Sequence, residues 1–280
     1  MDCGPKKFYH KHDFNSRDLL ETYLSDKPDL VFGDDFLKFP MMNLHYIFSS
    51  GFVKGDVLID LSVGSFIHHL YSACDVFKDI IILKLNERCT METSKWKDSR
   101  TGAFNWRHAS AHATKLQGES RLVAGCAFTV HLQGTIRSPS GQVQDKDEQL
   151  KTAISHIISC DFENENITHP VVLPLADCIS SLWLVGVISK DEDDYIRHLE
   201  KISKLLRAGG HLLLMSSLNT SYFMVGGEKF HGFNFDERFV KNALSKLGFV
   251  IDYCAVQRRR SESTHIDYKA IMFITACKTK

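Results

Sequence analysis

From Asp56 onward, short apolar runs alternate with segments whose apolar residues recur at helical spacing. The runs are Val57–Leu61, Ile80–Leu83, Ala176–Leu184, His211–Ser216, Val250–Val256 and Ala270–Cys277. Helical patterns span Phe66–Ala73, Lys146–Ile158, Glu192–Leu206 and Glu237–Leu247. In the second of these, Leu150, Ile154 and Ile157 stand at i, i+4 and i+7, on one face of a helix. Strand-like runs that alternate with helices predict an α/β fold, with a mostly parallel sheet covered on both faces. The last two runs have only a loop between them, which predicts an antiparallel pair closing the sheet.

The first 50 residues are different. Phe14 to Leu24 places Leu19, Leu20 and Tyr23 on one helical face, and Pro40 to Phe48 does the same with Met41, Leu44, His45 and Phe48. The expectation is a helical N-terminal cap (1–50) over a Rossmann-like domain (51–280), the two forming one structural unit. Leu122 to Gln144 is rich in Gly, Ser, Thr and Gln and reads as a loop insertion. Gly209 and Gly210 end one helix before the run His211–Ser216, because glycine supplies the left-handed backbone of a helix stop.

One segment carries candidate chemistry. Val57-Leu58-Ile59-Asp60-Leu61-Ser62-Val63-Gly64, followed by Phe66-Ile67-His68-His69-Leu70, reads as a buried strand, a tight turn and a helix. That is the architecture of an adenosine-binding α/β site, where the turn lets backbone approach the ligand. The turn has a single glycine, Gly64, where such loops usually carry two or three.

Charge removes some alternatives. Lysine plus arginine equals aspartate plus glutamate, 34 each, and a dedicated nucleic-acid binder is usually basic. No apolar run reaches the roughly 20 residues needed to cross a bilayer, so no membrane partner is expected. Met1-Asp2-Cys3-Gly4-Pro5-Lys6-Lys7 lacks the apolar core of a signal peptide. The eight cysteines are scattered without a Cys-x-x-Cys pair, so reduced thiols in the cytoplasm are expected and no zinc site. His108 and His112 have i, i+4 spacing but no third ligand beside them, so no metal is expected there.

The order of elements resembles the class I S-adenosylmethionine-dependent methyltransferases. More narrowly, the chain resembles the small-molecule N-methyltransferases that act on nicotinamide, indolethylamines or phenylethanolamine. Phe14-Asn15-x-Arg17-Asp18-x-Leu20-Glu21-x-Tyr23 is similar to the family's first helix, and Gly55-Asp56-x-Leu58-Ile59-Asp60 to the approach to its cofactor loop. Ser72-Ala73-Cys74-x-x-Phe77-Lys78-x-Ile80, Cys160-Asp161 and Pro174-x-Ala176-Asp177-Cys178 also match. The most specific is Ser221-Tyr222-Phe223-Met224-Val225-Gly226-x-x-Lys229-Phe230, similar to the family's substrate-side segment.

The resemblance implies a cytoplasmic, monomeric S-adenosylmethionine-dependent N-methyltransferase acting on a small amine or heteroaromatic nitrogen. It implies catalysis by alignment and proximity, with no covalent catalytic residue. It puts Tyr23, Ser62, Gly64, His68, Lys84, Cys89, Asp161, Phe162 and Leu182 at cofactor positions, and Ser216, Tyr222, Phe223 and Gly232 at substrate positions. Several of these depart from the family pattern. Ser62 replaces a glycine, Cys89 an asparagine, and Leu19, Leu24 and His68 stand at tyrosine positions. Lys84 ends the second strand where the family has an aspartate that accepts from both ribose hydroxyls, and lysine only donates. Ser216 replaces a substrate-binding aspartate, which points away from nicotinamide and toward an apolar or aromatic amine. Two other readings follow from these departures. One is a relative that keeps the fold without the cofactor and serves a binding or regulatory role. The other is a site for a different adenosine-containing or anionic ligand that pairs with Lys84.

Overall fold

The computed structural model describes residues 6–12, 14–27, 32–128, 145–260 and 262–279. Helix α1 (Ser16–Tyr23) begins at Asn15, whose side chain accepts from the Arg17 amide and so satisfies one of the free donors of the first turn. A π-type turn, Gly33–Lys38, leads into α2 (Phe39–Ser49), with Pro40 in its first turn, where no amide partner is needed. Then come β1 (Val57–Asp60), the short α3 (Leu70–Ala73), β2 (Asp79–Lys84), α4 (Glu87–Lys97), α5 (Arg107–Phe128), α6 (Lys146–Ala153) and β3 (Ile154–Ser159). The second half contains β4 (Ala176–Leu182), α7 (Leu184–Ile188), α8 (Glu192–Ser203), β5 (Leu206–Leu218), the hairpin β6 (Tyr222–Val225) and β7 (Glu228–His231), α9 (Glu237–Lys246), β8 (Phe249–Arg258) and β9 (Ala270–Lys278).

Seven strands form one sheet in the order β3-β2-β1-β4-β5-β9-β8. The first five are parallel, while β9 runs antiparallel to both β5 and β8. The expected closing pair is therefore present. The chain order reverses between β1 and β4, and the crevice beyond the C-terminal ends of these two strands is where such sheets bind ligands. Leu58, Ile59, Ile80, Ile82, Leu83, Ile179, Leu213 and Met215 in the central strands are all buried.

Five boundaries differ from the sequence reading. The pattern Lys146–Ile158 breaks at Ala153, and Ile154–Ser159 is a strand. As the sheet's edge it is half exposed, so its apolar residues are too sparse to read as a strand. Only Leu70–Ala73 of the helix expected over Phe66–Ala73 is helical, because the loop needs the residues before it to turn. The helix expected over Glu192–Leu206 stops at Ser203, and β5 begins at Leu206 and runs on to Leu218. The run Ala176–Leu184 ends at Leu182, because Trp183 takes a left-handed conformation that starts α7. Helix α5 extends to Phe128, into the stretch expected as a loop, and 129–144 lie outside the described residues. Among the described residues no helix is long and apolar enough to cross a membrane.

Candidate functional site

At the end of β1 the chain does not leave the sheet at once. The Leu61 amide donates to the Ser180 carbonyl at 2.7 Å and the Val63 amide to the Leu182 carbonyl at 3.0 Å, so the loop stays beside β4. Gly64 then turns with φ +57°. A Cβ at that position would lie 2.3 Å from Leu19 Cδ2, so the cap helix α1 presses directly on the loop. Gly64→Ala is expected to cost about 1–2 kcal/mol, mostly from the left-handed backbone, since Leu19 can give way. Urea unfolding checks this, and an unchanged midpoint would refute it.

The loop rests on a buried polar cluster. Asp60, completely buried, accepts at Oδ1 from Ser62 Oγ at 2.7 Å, Ser180 Oγ at 2.8 Å and His69 Nε2 at 2.7 Å. Lys84, 1% exposed, pairs with Asp60 Oδ2 at 3.5 Å and donates to the Ser62 carbonyl at 3.1 Å. Burial by itself would raise the Asp60 pKa, but the neighbouring charges of His69 and Lys84 overcome it and hold the carboxyl below the usual range. Ser62 also accepts from the Leu182 amide at 3.1 Å and joins the two central strands.

The backbone donor of the loop is taken. The Gly64 amide donates to the Tyr9 hydroxyl at 2.8 Å, and that hydroxyl lies 3.9 Å from Cys89 Sγ. Tyr9 belongs to an N-terminal strap that pairs with β7. The Lys7 amide donates to Lys229 and the His231 amide to Lys7, at 3.0 and 2.7 Å. Ser16 Oγ lies 2.6 Å from Ser65 Oγ and fastens α1 to the same turn. Burial pushes the Cys89 and Cys160 thiols upward, the latter to about 12, so neither is a reactive thiolate.

Beside this loop lies a narrow apolar cavity of about 50 Å³. Leu19, Tyr23, Phe36, Phe66, Trp183, Phe223 and Phe235 supply most of its wall, and Ser216, Ser217 and Thr220 its hydroxyls. No charged side chain lines it among the described residues.

The expected site residues fall into three groups. Tyr23, Ser216, Phe223 and Gly232 do meet at this cavity. The Tyr23 hydroxyl is fixed there by donating to the Met224 and His265 carbonyls at 3.0 and 3.2 Å. Ser62, Gly64, Lys84, Cys89 and Leu182 are buried or closed over around the loop, whereas Phe162, also buried, packs edge-on against His198 at 5.2 Å. His68 is buried in a stack, with ring centroids 6.0 Å from Trp106 and 6.5 Å from Trp183, and burial lowers its pKa so that the ring is neutral. The third group stands apart. Asp161 is exposed and accepts from the Glu163 amide, closing a surface turn. The Tyr222 hydroxyl donates to the Thr264 carbonyl, and its ring carries the Lys229 ammonium at 3.8 Å. Sequence reading missed Tyr9, Phe36, Trp183 and Thr220. Their only signal was apolar character, which core residues share.

In this arrangement the cradle is closed to S-adenosylmethionine until the N-terminal strap moves. The Gly64 amide is occupied, Leu19 is packed onto the glycine, and position 84 offers donors already used by Asp60 and Ser62.

A family model described as the NNMT/PNMT/TEMT family matches residues 4–279. Indolethylamine N-methyltransferase of Oryctolagus cuniculus is 30% identical over 270 residues, covering 96% of this chain and 95% of that protein. Nicotinamide N-methyltransferase of Homo sapiens is 29% identical over 280 residues, covering 99% and 98%. Among solved structures, N-methyltransferase NodS from Bradyrhizobium japonicum, in complex with S-adenosylhomocysteine, aligns with a TM-score of 0.51 at 10% identity, over 96% of this chain and 100% of that one. That likeness shows the fold, a class I methyltransferase sheet with helices on both faces.

Proposed function

Because the chain belongs to the NNMT/PNMT/TEMT family, we propose that it is an S-adenosylmethionine-dependent N-methyltransferase acting on a small apolar or aromatic nitrogen compound. The observation that carries this reading is the apolar cavity beside the Gly64 turn, which holds Tyr23, Ser216, Phe223 and Gly232 together. Aromatic walls exclude water and fix the plane of a ring, which is most of what alignment of a nitrogen requires. With no carboxylate on the wall, the cavity favours an acceptor that arrives uncharged, since an ammonium would be desolvated without a partner. Cofactor binding at this site requires Tyr9 to release the Gly64 amide. We further propose a monomer working in the cytoplasm, and the balanced charge is unlike that of a dedicated nucleic-acid binder.

The filled cradle favours a second reading, a relative that retains the fold and the apolar cavity but binds no cofactor. Calorimetric titration with S-adenosylmethionine and S-adenosylhomocysteine separates the two. Micromolar binding, followed by methyl transfer to a panel of aromatic amines, is the expected result. A folded chain that takes up neither ligand at millimolar concentration would establish the second reading.

A further inference from the structure

Trp183 has an unusual backbone. Its φ is +61°, a region that bulky side chains rarely adopt, and its amide is held there by donating to the Met215 carbonyl at 2.8 Å. Strain of this kind persists where the surroundings enforce it, and it gathers at ligand sites. Here it places the indole on the cavity wall, stacked on Phe36 with centroids 5.0 Å apart and planes 27° apart. Phe66 meets the same ring edge-on at 6.0 Å.

The indole Nε1–H has no hydrogen-bond partner, although Trp183 is only 6% exposed. Buried indole donors normally have one. The side-chain hydroxyls of Thr220 and Ser217 are unpartnered as well, and both residues line the same cavity. Unpaired polar groups are thus gathered on residues that line an otherwise apolar cavity.

We infer that Trp183 is a specificity-determining residue of this cavity: its indole N–H is a preset donor that selects uncharged planar ligands bearing a lone-pair acceptor. This rests on the acceptor-site reading given above. A lone pair engaged by Trp183 is not free to attack a methyl group. A methyl acceptor therefore carries a second heteroatom, one for Trp183 and one for the chemistry.

Quinoline and naphthalene test the subsite, because they share a shape and differ in one acceptor nitrogen. Ligand-observed NMR titration of the full chain is expected to show quinoline bound about fivefold to tenfold more tightly, the worth of one hydrogen bond. Trp183→Phe is expected to abolish that preference, so that the two probes bind alike. Should that variant misfold, the wild-type chain still decides. It has three tryptophans, and the indole N–H resonance of Trp183, assigned by elimination with Trp96→Phe and Trp106→Phe, should move with quinoline and not with naphthalene. Equal binding of the two probes, or a preference that survives in Trp183→Phe, overturns the inference. Titration with S-adenosylmethionine alongside keeps the two readings apart. A quinoline preference without cofactor binding sinks the enzyme reading alone, while cofactor binding without the preference sinks the subsite alone.

Discussion

Replacing Lys84 by aspartate and Tyr9 by phenylalanine in one chain raises its affinity for S-adenosylmethionine about 100-fold. The Lys84→Asp change supplies the carboxylate that family resemblance assigns to the two ribose hydroxyls, at a cost in stability because Asp60 loses its ammonium partner, and hydrogen bonds to a charged acceptor contribute about 1.5–3 kcal/mol each. Two of them exceed the roughly 2.7 kcal/mol that a 100-fold change represents. The Tyr9→Phe change releases the Gly64 amide, now held by the tyrosine hydroxyl at 2.8 Å, while the ring continues to fill its place against Phe14. The Lys84→Asp change also removes an ammonium from the neighbourhood of a sulfonium cation. Calorimetry reads the affinity, and circular dichroism confirms that the double variant is folded. A folded double variant with unchanged affinity would show that position 84 and the strap do not control the cradle. Tyr9→Phe alone should give a much smaller gain, because the ribose would still lack an acceptor.

How much of this was legible in the sequence depends on the range of each interaction. The central strands were readable because their neighbours on both faces are apolar. Ile80-Ile81-Ile82-Leu83 can hardly be anything but a buried strand. Ile154–Ser159 was misread because it forms the sheet's edge, and its apolar residues also fit a helical period. The hairpin of β6 and β7 was recognised as a family segment and not as strands, since four residues are too few for a period to show. Within the site, the importance of Gly64 and Lys84 was visible locally, one from the turn it needs and the other from its place at the end of a strand. Tyr9 was invisible for the opposite reason: its contact spans 55 residues, and nothing near it in the chain announces a partner. Trp183 looked like one more residue of an apolar run, and only its backbone conformation sets it apart. Lys84 is the instructive case. The sequence suggested a lysine at a cofactor position, whereas the structure turns it into the core, paired with Asp60.

That pairing leads to the second large effect. Asp60→Asn is expected to destabilise the chain by about 3–5 kcal/mol, because it leaves the Lys84 ammonium buried without its counter-charge. The amide also cannot accept, at one oxygen and with the same strength, the three donors that now converge on Oδ1. The pair itself need not be a net source of stability. Two buried charges surrender much of their hydration, and the attraction between them only partly restores it. The double variant Asp60→Asn with Lys84→Met is therefore expected to lose less than Asp60→Asn alone, a coupling that urea unfolding can measure. Acid should reveal the same group. The Asp60 pKa is held down in the folded chain, so its contribution is complete above the unfolded value of about 4 and declines as the pH falls below it. The wild-type chain should lose stability over that interval more steeply than Asp60→Asn does. If both lose it in parallel, or if the double variant is weaker than the single one, then Asp60 and Lys84 act independently. Lys84 would in that case be a tolerated passenger in the core and not the partner that keeps the loop in place.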